Sequence, residues 1–414
     1  MKFAELELQP EILQALDDMG FADLTPIQEQ TIPPVLAGND VVGLAETGSG
    51  KTAACAIPLI QRVDPSLKAI QVLILVPTRE LALQYVTEVD NIARHTQIAP
   101  FAVFGGFDMD IQKAKLRHGV HVLVATPGRL IDLIWNYRLD VSQVRTAVLD
   151  EADEMLKMGF VEDIDFIMSC MIQEHQTLLF SATMPAEIER IAQQYLRDPV
   201  KIRLNRDQVA PQSLKHHFRH VARRNRLDAL LEYVDNDSVR QAILFCNSRD
   251  GAGDLYRELQ GRIKSVEIIH GGLAQERRTS IFNRFRQKQV RFMIATDVAG
   301  RGLDFSHVSH IINYDFPRNA ETYTHRTGRA GRMGREGVAV TFVGDRDLHD
   351  LQQVLAANRI EPVWEGLAPS LTEADEGQQP KRRGPRGRGQ SGGGGQGRPR
   401  RPRRRGAQPP TPVA

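Results

Sequence analysis

Residues 147–153 read Ala147-Val148-Leu149-Asp150-Glu151-Ala152-Asp153, and upstream of them stands Ala45-Glu46-Thr47-Gly48-Ser49-Gly50-Lys51-Thr52. The apolar run Ala147–Leu149 has strand character and delivers two adjacent carboxylates to its C-terminal end. The second stretch is a glycine-rich turn between a strand-like Val41–Leu44 and a helical stretch beginning at Lys51. Together they supply what phosphoryl transfer needs: a cradle of backbone N–H groups, a lysine, a hydroxyl and acids for magnesium. The pair of motifs implies a nucleoside triphosphatase on an α/β scaffold.

Working outward, apolar runs of strand length alternate with amphipathic helical stretches. The first half offers Val41–Ala45, Val72–Val76, Ala102–Phe104, Val122–Ala125, Ala147–Asp150 and Leu178–Phe180. The second offers Ala242–Cys246, Val266–Ile269, Phe292–Ala295, His310–Asn313 and Val338–Val343. Near-continuous Val/Ile/Leu runs separated by helices predict parallel sheets covered on both faces. Functional residues then belong at the C-terminal ends of the strands. The pattern restarts after a polar stretch that carries Pro211, so 206–213 reads as a linker between a domain at 1–205 and a second at 214–368. Residues 369–414 read as a disordered tail, rich in Arg, Gly and Pro, that cannot bury enough apolar surface to offset its ordering entropy.

The chain of 414 residues has a formal net charge of +2 that averages two unlike parts. Residues 381–414 carry eleven Lys or Arg and no acid, which leaves 42 basic and 51 acidic residues in 1–380. An acidic body draws nucleic acid only through a local groove or through the tail. Cys55, Cys170 and Cys246 form no paired pattern, which fits reduced thiols and a cytoplasmic location. The acidic start of the chain has no signal-peptide character, and no run is long enough to span a bilayer. His216, His217 and His220 lack partners at zinc spacing; an exposed strand edge is their expected setting, and no structural metal is expected.

Chemistry assigns roles within the two motifs. Ala45 replaces the first glycine of the general phosphate-loop pattern, while Gly48 and Gly50 let the backbone approach phosphate. Lys51 reaches the β- and γ-phosphates, and Thr52 and Asp150 offer oxygens to Mg²⁺. Glu151 is placed to polarise the attacking water. Ser181-Ala182-Thr183 follows a strand, where a Ser/Thr pair is most often a helix cap.

The ensemble resembles the DEAD-box family of ATP-dependent RNA helicases, with matches from about Phe3 to Gly344. The resemblance implies two tandem RecA-like domains with ATP and Mg²⁺ between them, and RNA, single-stranded or duplex, as the partner. Phe3, Phe21, Thr25 and Gln28 resemble the adenine-recognition motif, and the Gln28 amide can pair with one adenine edge. The phosphate loop, Ala45 through Thr52, then holds the triphosphate, with Gly302 and Asp304 on the ribose side. Pro77-Thr78-Arg79, Gly105-Gly106 and Thr126-Pro127-Gly128-Arg129 resemble the RNA-contacting motifs of the first domain. Arg249, His270-Gly271, Gln275, Arg278 and Thr296 resemble those of the second. Contacts of this kind go to phosphate and 2′-OH and carry little sequence preference. Ser181-Ala182-Thr183 with His325 and Arg326 resemble the coupling motifs, and Arg329 and Arg332 the arginine fingers. Glu46 stands where the family commonly has glutamine, and Gly300 where it commonly has alanine.

The resemblance implies ATP-dependent, sequence-nonspecific unwinding or remodelling of RNA duplexes and ribonucleoproteins, in settings such as ribosomal or RNA-decay assemblies. Two alternatives are a DNA-directed motor of the same architecture and an ATP-gated RNA clamp that hardly turns over.

Overall fold

A computed structural model of the chain describes residues 1–45, 49–204, 214–235, 238–297, 308–330 and 337–369, apart from the side chains of Gln275 and Glu276. Glu46, Thr47, Gly48, Gly302, Asp304 and Arg332 lie outside the described residues, as do the expected linker and the chain from 370 onward.

The apolar runs become two seven-stranded sheets in which every described pairing is parallel. The first contains β1 (Val41–Leu44), β2 (Val72–Leu75), β3 (Pro100–Val103), β4 (Val122–Ala125), β5 (Thr146–Leu149), β6 (Gln176–Ser181) and β7 (Val200–Arg203). The second contains β8 (Leu214–His220), β9 (Ala242–Cys246), β10 (Val266–Ile269), β11 (Phe292–Thr296), β12 (His310–Asn313), β13 (Gly337–Val343) and β14 (Val363–Trp364). Strands β2, β4, β5 and β6 are buried along their whole length, as strands with helices on both faces must be.

The strand orders are β3-β4-β2-β5-β6-β1-β7 and β10-β11-β9-β12-β13-β8-β14. Counted from the start of each domain these are one and the same order, so the halves repeat in topology although no repeat is visible in sequence. The fold is thus two similarly wound parallel sheets, as the sequence patterning predicts, in the tandem RecA-like arrangement that the family resemblance implies.

This order positions the site. Strands β5, β6 and β1 are neighbours, so the Asp150 carboxylates, the Ser181 segment and the phosphate loop come to one part of the sheet's C-terminal edge. Strands β3, β4 and β2 form the other part and carry Gly105-Gly106, the Thr126 segment and the Thr78 segment. Two clusters of buried apolar side chains cover the two faces of the first sheet, and three others serve the second. Among the described residues no cluster takes members from both halves.

Strands β7, β8 and β14 were not evident from apolar patterning. Val200–Arg203 alternates apolar and charged residues as an edge strand does, and Leu214–His220 buries only Phe218 fully. The expected exposed edge for the histidines is corrected: β8 pairs with β13 along its length and with β14 on its other side. His216 contacts the Tyr323 hydroxyl at 2.8 Å, His217 pairs with Glu365 at 2.6 Å and His220 with Asp345 at 2.8 Å, so each ring serves a different partner.

Candidate functional site

After β1 the chain re-enters a helix, Lys51–Arg62, through Gly50, whose φ of +98° suits a residue without Cβ. A Cβ there would meet Thr25 Oγ1 at 2.9 Å and Gln28 Nε2 at 3.0 Å. Lys51 is buried; its Nζ donates to the Ala45 carbonyl at 2.8 Å and lies 3.9 Å from Asp150 Oδ1. The ammonium is thus already desolvated and held between the Ala45 carbonyl and Asp150. Ser49 and Thr52, half-buried, flank the turn.

Beyond β5, Asp150 Oδ1 accepts the Glu151 N–H at 2.8 Å, and Oδ2 accepts the Tyr85 hydroxyl at 2.5 Å. Glu151 sits at φ +52°, a left-handed backbone that costs a non-glycine residue energy and signals a functional constraint. The turn sends the two neighbouring carboxylates to different places. Burial, and then the charge of Asp150, push the Glu151 carboxyl above the usual range, while Arg329 and Lys51 pull it back.

Asp153 closes the quartet. Burial pushes its carboxyl up, but hydrogen bonds from Thr183 and Ser181 outweigh this and hold it below the usual range. Thr183 donates through both N–H (3.1 Å) and Oγ1 (2.9 Å) to Asp153 Oδ2, and Ser181 Oγ accepts the Asp153 N–H at 3.3 Å. The Ser/Thr pair therefore ties to the acid-bearing helix Ala152–Lys157 rather than capping the helix Ala186–Tyr195 that follows it, whose N-cap is Pro185.

The second half completes this site. A small pocket is lined by Lys51, Glu151, Asp153, Ala182, His325 and Arg329. Arg329 is buried, with Nε donating to the His325 carbonyl at 3.1 Å, and it lies close enough to Glu151 to stabilise its charge. Arg326, three residues earlier, faces the other way. It is buried within the second half, bonded to Asp297 at 2.5 and 2.9 Å, to Asn247 at 2.7 Å and to the Asp315 carbonyl at 2.9 Å. It acts as a strut that fixes the helix Ala320–Thr327 against the ends of β9 and β11. Glu154, Glu321 and His325 gather their ligand atoms within 4.8 Å, but Lys157 pairs with Glu154 at 2.9 Å and also with Glu321. That cluster is an ion-pair bridge between the halves.

Among the residues expected to recognise adenine, Phe3 is buried and stacks at 6.0 Å behind the half-exposed Phe21. Gln28 accepts the Thr25 N–H at 2.9 Å and donates to the Gly50 carbonyl at 3.4 Å, so one amide caps the helix Pro26–Leu36 and touches the phosphate loop. Each bond leaves amide capacity for a base edge. ATP is expected to be preferred to GTP in steady-state turnover. Gln28→Ala should weaken ATP by about 1–3 kcal/mol; equal use of both nucleotides by the parent protein would remove the basis for this role.

The residues expected to face RNA repeat one device on equivalent strands. After β2, Thr78 caps the helix Arg79–Ile92 by accepting the Leu81 N–H at 3.3 Å; after β9, Ser248 caps Arg249–Leu259 by accepting the Gly251 N–H at 3.0 Å. The arginine after each cap lies over a glycine turn that follows the equivalent next strand. A Cβ on Gly106, at φ +74°, would meet the Arg79 guanidinium at 2.5 Å, and one on Gly271 would meet Arg249 at 3.4 Å. Gly105 lies beside Arg79 as well. Pro77 and Thr126 are buried, Pro127 and Gly128 open the helix Pro127–Tyr137, and Arg129 donates to the Phe107 carbonyl at 3.1 Å. Thr296 is buried at the end of β11. His270 accepts the Gly272 N–H at 3.1 Å, and burial followed by the charges of Arg249 and Arg278 holds its pKa down. Gln275 opens the helix Gln275–Arg286. Arg278 pairs with Glu80 at 2.8 Å, a second bridge between the halves.

Tyr85 and Lys157 escape the sequence reading. Neither carries a motif signal alone; each acquires meaning from a partner distant in the chain, Asp150 for Tyr85 and Glu321 for Lys157.

The family profile for DEAD/DEAH box helicases matches residues 25–191, and that for the helicase conserved C-terminal domain matches 225–334. The DEAD-box ATP-dependent RNA helicase CshA of Bacillus cereus is 40% identical over 377 residues, 91% of this chain and 72% of that protein. The chain belongs to the DEAD-box ATP-dependent RNA helicases. The CshA of Bacillus subtilis is 39% identical, with 91% and 76% covered. Among solved DEAD-box structures, S. cerevisiae Dbp5 bound to RNA and ADP BeF3 superposes with a TM-score of 0.79 at 29% identity, covering 88% of this chain and 95% of that one. A DEAD box protein from Methanococcus jannaschii gives 0.55 at 35% identity, with 88% and 99% covered.

Proposed function

We infer that this DEAD-box helicase couples ATP hydrolysis at the cleft between its halves to local, sequence-nonspecific opening and remodelling of RNA. The observation that carries the reading is the pocket in which Arg329 from one half meets Lys51 and Glu151 from the other. Lys51 neutralises charge on the transferred phosphoryl group, Glu151 takes the proton of the attacking water, and Arg329, with Arg332 three residues further along the sequence, stabilises the charge that develops. Because the site is complete only when the halves meet, and because RNA-side residues also come from both halves, ATP and RNA favour the same closed state and each strengthens the other's binding.

A magnesium ion fits the donors present. Thr52 and Asp150 offer oxygen, the ligand type a hard cation takes. The nearby Cys55 does not compete, because burial and the Asp150 charge keep its thiol protonated. Held by Thr52 and Asp150, the ion would supply positive charge that offsets the negative charge of the triphosphate.

The test is ATP turnover with RNA and with DNA of equal length and sequence. Strong stimulation by RNA alone, with strand separation of a short RNA duplex, is expected. Equal stimulation by DNA would favour a DNA-directed motor. Single-turnover binding without steady-state hydrolysis would favour a clamp.

The basic tail is read as a sequence-blind tether that raises the local concentration of RNA. Deleting residues 371–414 should weaken RNA binding and flatten its salt dependence while leaving ATP turnover at saturating RNA nearly unchanged. An unchanged salt slope would leave solubility as the tail's role.

The fold and cysteine pattern suit a cytoplasmic enzyme, and no described helix is long and apolar enough to cross a membrane. RNA-containing assemblies of the ribosomal or decay type are the proposed setting.

A further inference from the structure

Tyr85 has no place in the reading above, yet it is fully buried and its hydroxyl makes the 2.5 Å bond to Asp150 Oδ2. The two oxygens of Asp150 are thereby distinguished. Oδ2 points inward to the phenol, while Oδ1 turns toward Lys51, 3.9 Å away, and holds the Glu151 N–H. A carboxylate beyond a strand end can rotate about its terminal torsion, which has a broad, roughly two-fold profile. Here a donor on a fixed ring stops that rotation.

The position of the ring matters as much as its bond. Tyr85 is on the helix Arg79–Ile92, whose N-terminus carries the glycine-stacked Arg79 and the cross-half ion pair of Glu80 with Arg278. That helix follows β2, and β2 is the direct neighbour of β5, which delivers Asp150. Cys55, on the phosphate-loop helix Lys51–Arg62, is the phenol's other neighbour, close enough to interact with its hydroxyl. One buried side chain therefore touches three elements: the RNA-side helix, the phosphate-loop helix and the acid-bearing strand end.

We propose that Tyr85 is a positioning residue that sets the orientation of the Asp150 carboxylate toward the magnesium–nucleotide complex and ties that orientation to the helix bearing Arg79 and Glu80. The inference rests on the reading of Asp150 as a magnesium-side acid. Donors to a metal-side carboxylate commonly govern ion affinity without touching the ion. The residue also joins the RNA-side edge of the sheet to the nucleotide-side edge within one domain. A shift of the Arg79–Ile92 helix on RNA engagement would therefore reach Asp150 directly.

The substitution that isolates the hydroxyl is Tyr85→Phe, which keeps the ring's volume in the core and leaves Asp150 Oδ2 buried without its donor. Binding of a fluorescent, slowly hydrolysed ATP analogue is measured by titrating Mg²⁺ into the full-length protein. The Mg²⁺ concentration giving half-maximal binding should rise roughly 10–100-fold, whereas analogue affinity in EDTA should stay within about twofold of the parent. With saturating RNA and Mg²⁺ fixed at the parent's optimum, kcat should fall while the RNA concentration for half-stimulation changes little. A residue that only packs would lower the unfolding midpoint and leave the Mg²⁺ titration unmoved, and that result overturns the proposal. If Tyr85→Phe does not accumulate as folded protein, Tyr85→Met takes its place with the same expected shift and the same overturning result. Asp150→Asn separates the two layers of the argument. An unshifted Mg²⁺ titration in Asp150→Asn would sink the underlying reading of Asp150, whereas a shift there with none in Tyr85→Phe sinks the role of Tyr85 alone.

Discussion

Arg329→Ala is expected to remove RNA-stimulated ATP hydrolysis by roughly 10³–10⁵-fold, the range for an arginine supplied to a transferring phosphoryl group. Its guanidinium is buried, its Nε is held by the His325 carbonyl, and it shares a pocket with Lys51 and Glu151. It is therefore preorganised, with little to rearrange as charge develops. The helix that leads to it is secured separately by Arg326, whose bonds to Asp297 and Asn247 do not involve Arg329. Each half should keep its fold, and thermal unfolding should report this. A fluorescence distance probe across the cleft should shorten in the parent with an ATP analogue and RNA together and shorten less in the variant. Parent-like hydrolysis by Arg329→Ala would refute the finger assignment.

Glu151→Gln should bind ATP and RNA normally and lose turnover by roughly 10²–10⁴-fold, because the amide cannot accept the proton of the attacking water. The pH profile gives a second check. Burial, then Asp150, raise the carboxyl's pKa, and the working form is the ionised one. Activity should therefore fall on the acid side at a pH above the ordinary glutamate range. The sign for stability is opposite. A carboxyl with a raised folded-state pKa binds its proton more tightly when folded, so it detracts from stability as pH rises through that range. At neutral pH the Gln variant should unfold no more easily than the parent. A variant that is both inactive and markedly less stable would mean that Glu151 supports the fold rather than the chemistry.

Much of this was legible in the chain. The strand runs around Val72, Val122 and Leu178 are apolar throughout because helices cover both their faces, and that leaves a plain signal. The phosphate loop and the Asp150 quartet are contiguous, so their spacing carries their meaning. What escaped has a common physical character. Strand β7 alternates, β8 is mostly polar and β14 has two residues, so none offers an apolar run. The Arg278–Glu80 and Lys157–Glu321 pairs join residues far apart in the chain, and a charged residue on a helix gives no hint of a distant partner. The left-handed Glu151 is invisible in composition, since glutamate rarely takes that backbone. Tyr85 carries no motif signal, and its hydroxyl gains a role only because the fold brings Asp150 Oδ2 to it.

The separation of the apolar clusters bears on how such a machine can cycle. The contacts between the halves include ion pairs and charges, Glu80 with Arg278, Lys157 with Glu321, and Arg329 near Glu151. Apolar seams release slowly, because parting them exposes oily surface to water. Charged seams rehydrate on parting and hold weakly wherever solvent reaches them. The Lys157–Glu321 pair is partly exposed, so it contributes little grip of its own, and the more buried Glu80–Arg278 pair spends much of its attraction on its own desolvation. The ligands must then provide most of the grip, and the jaws should fall apart once phosphate leaves. An enzyme built this way resists jamming: it can let go of a strand as readily as it seizes one.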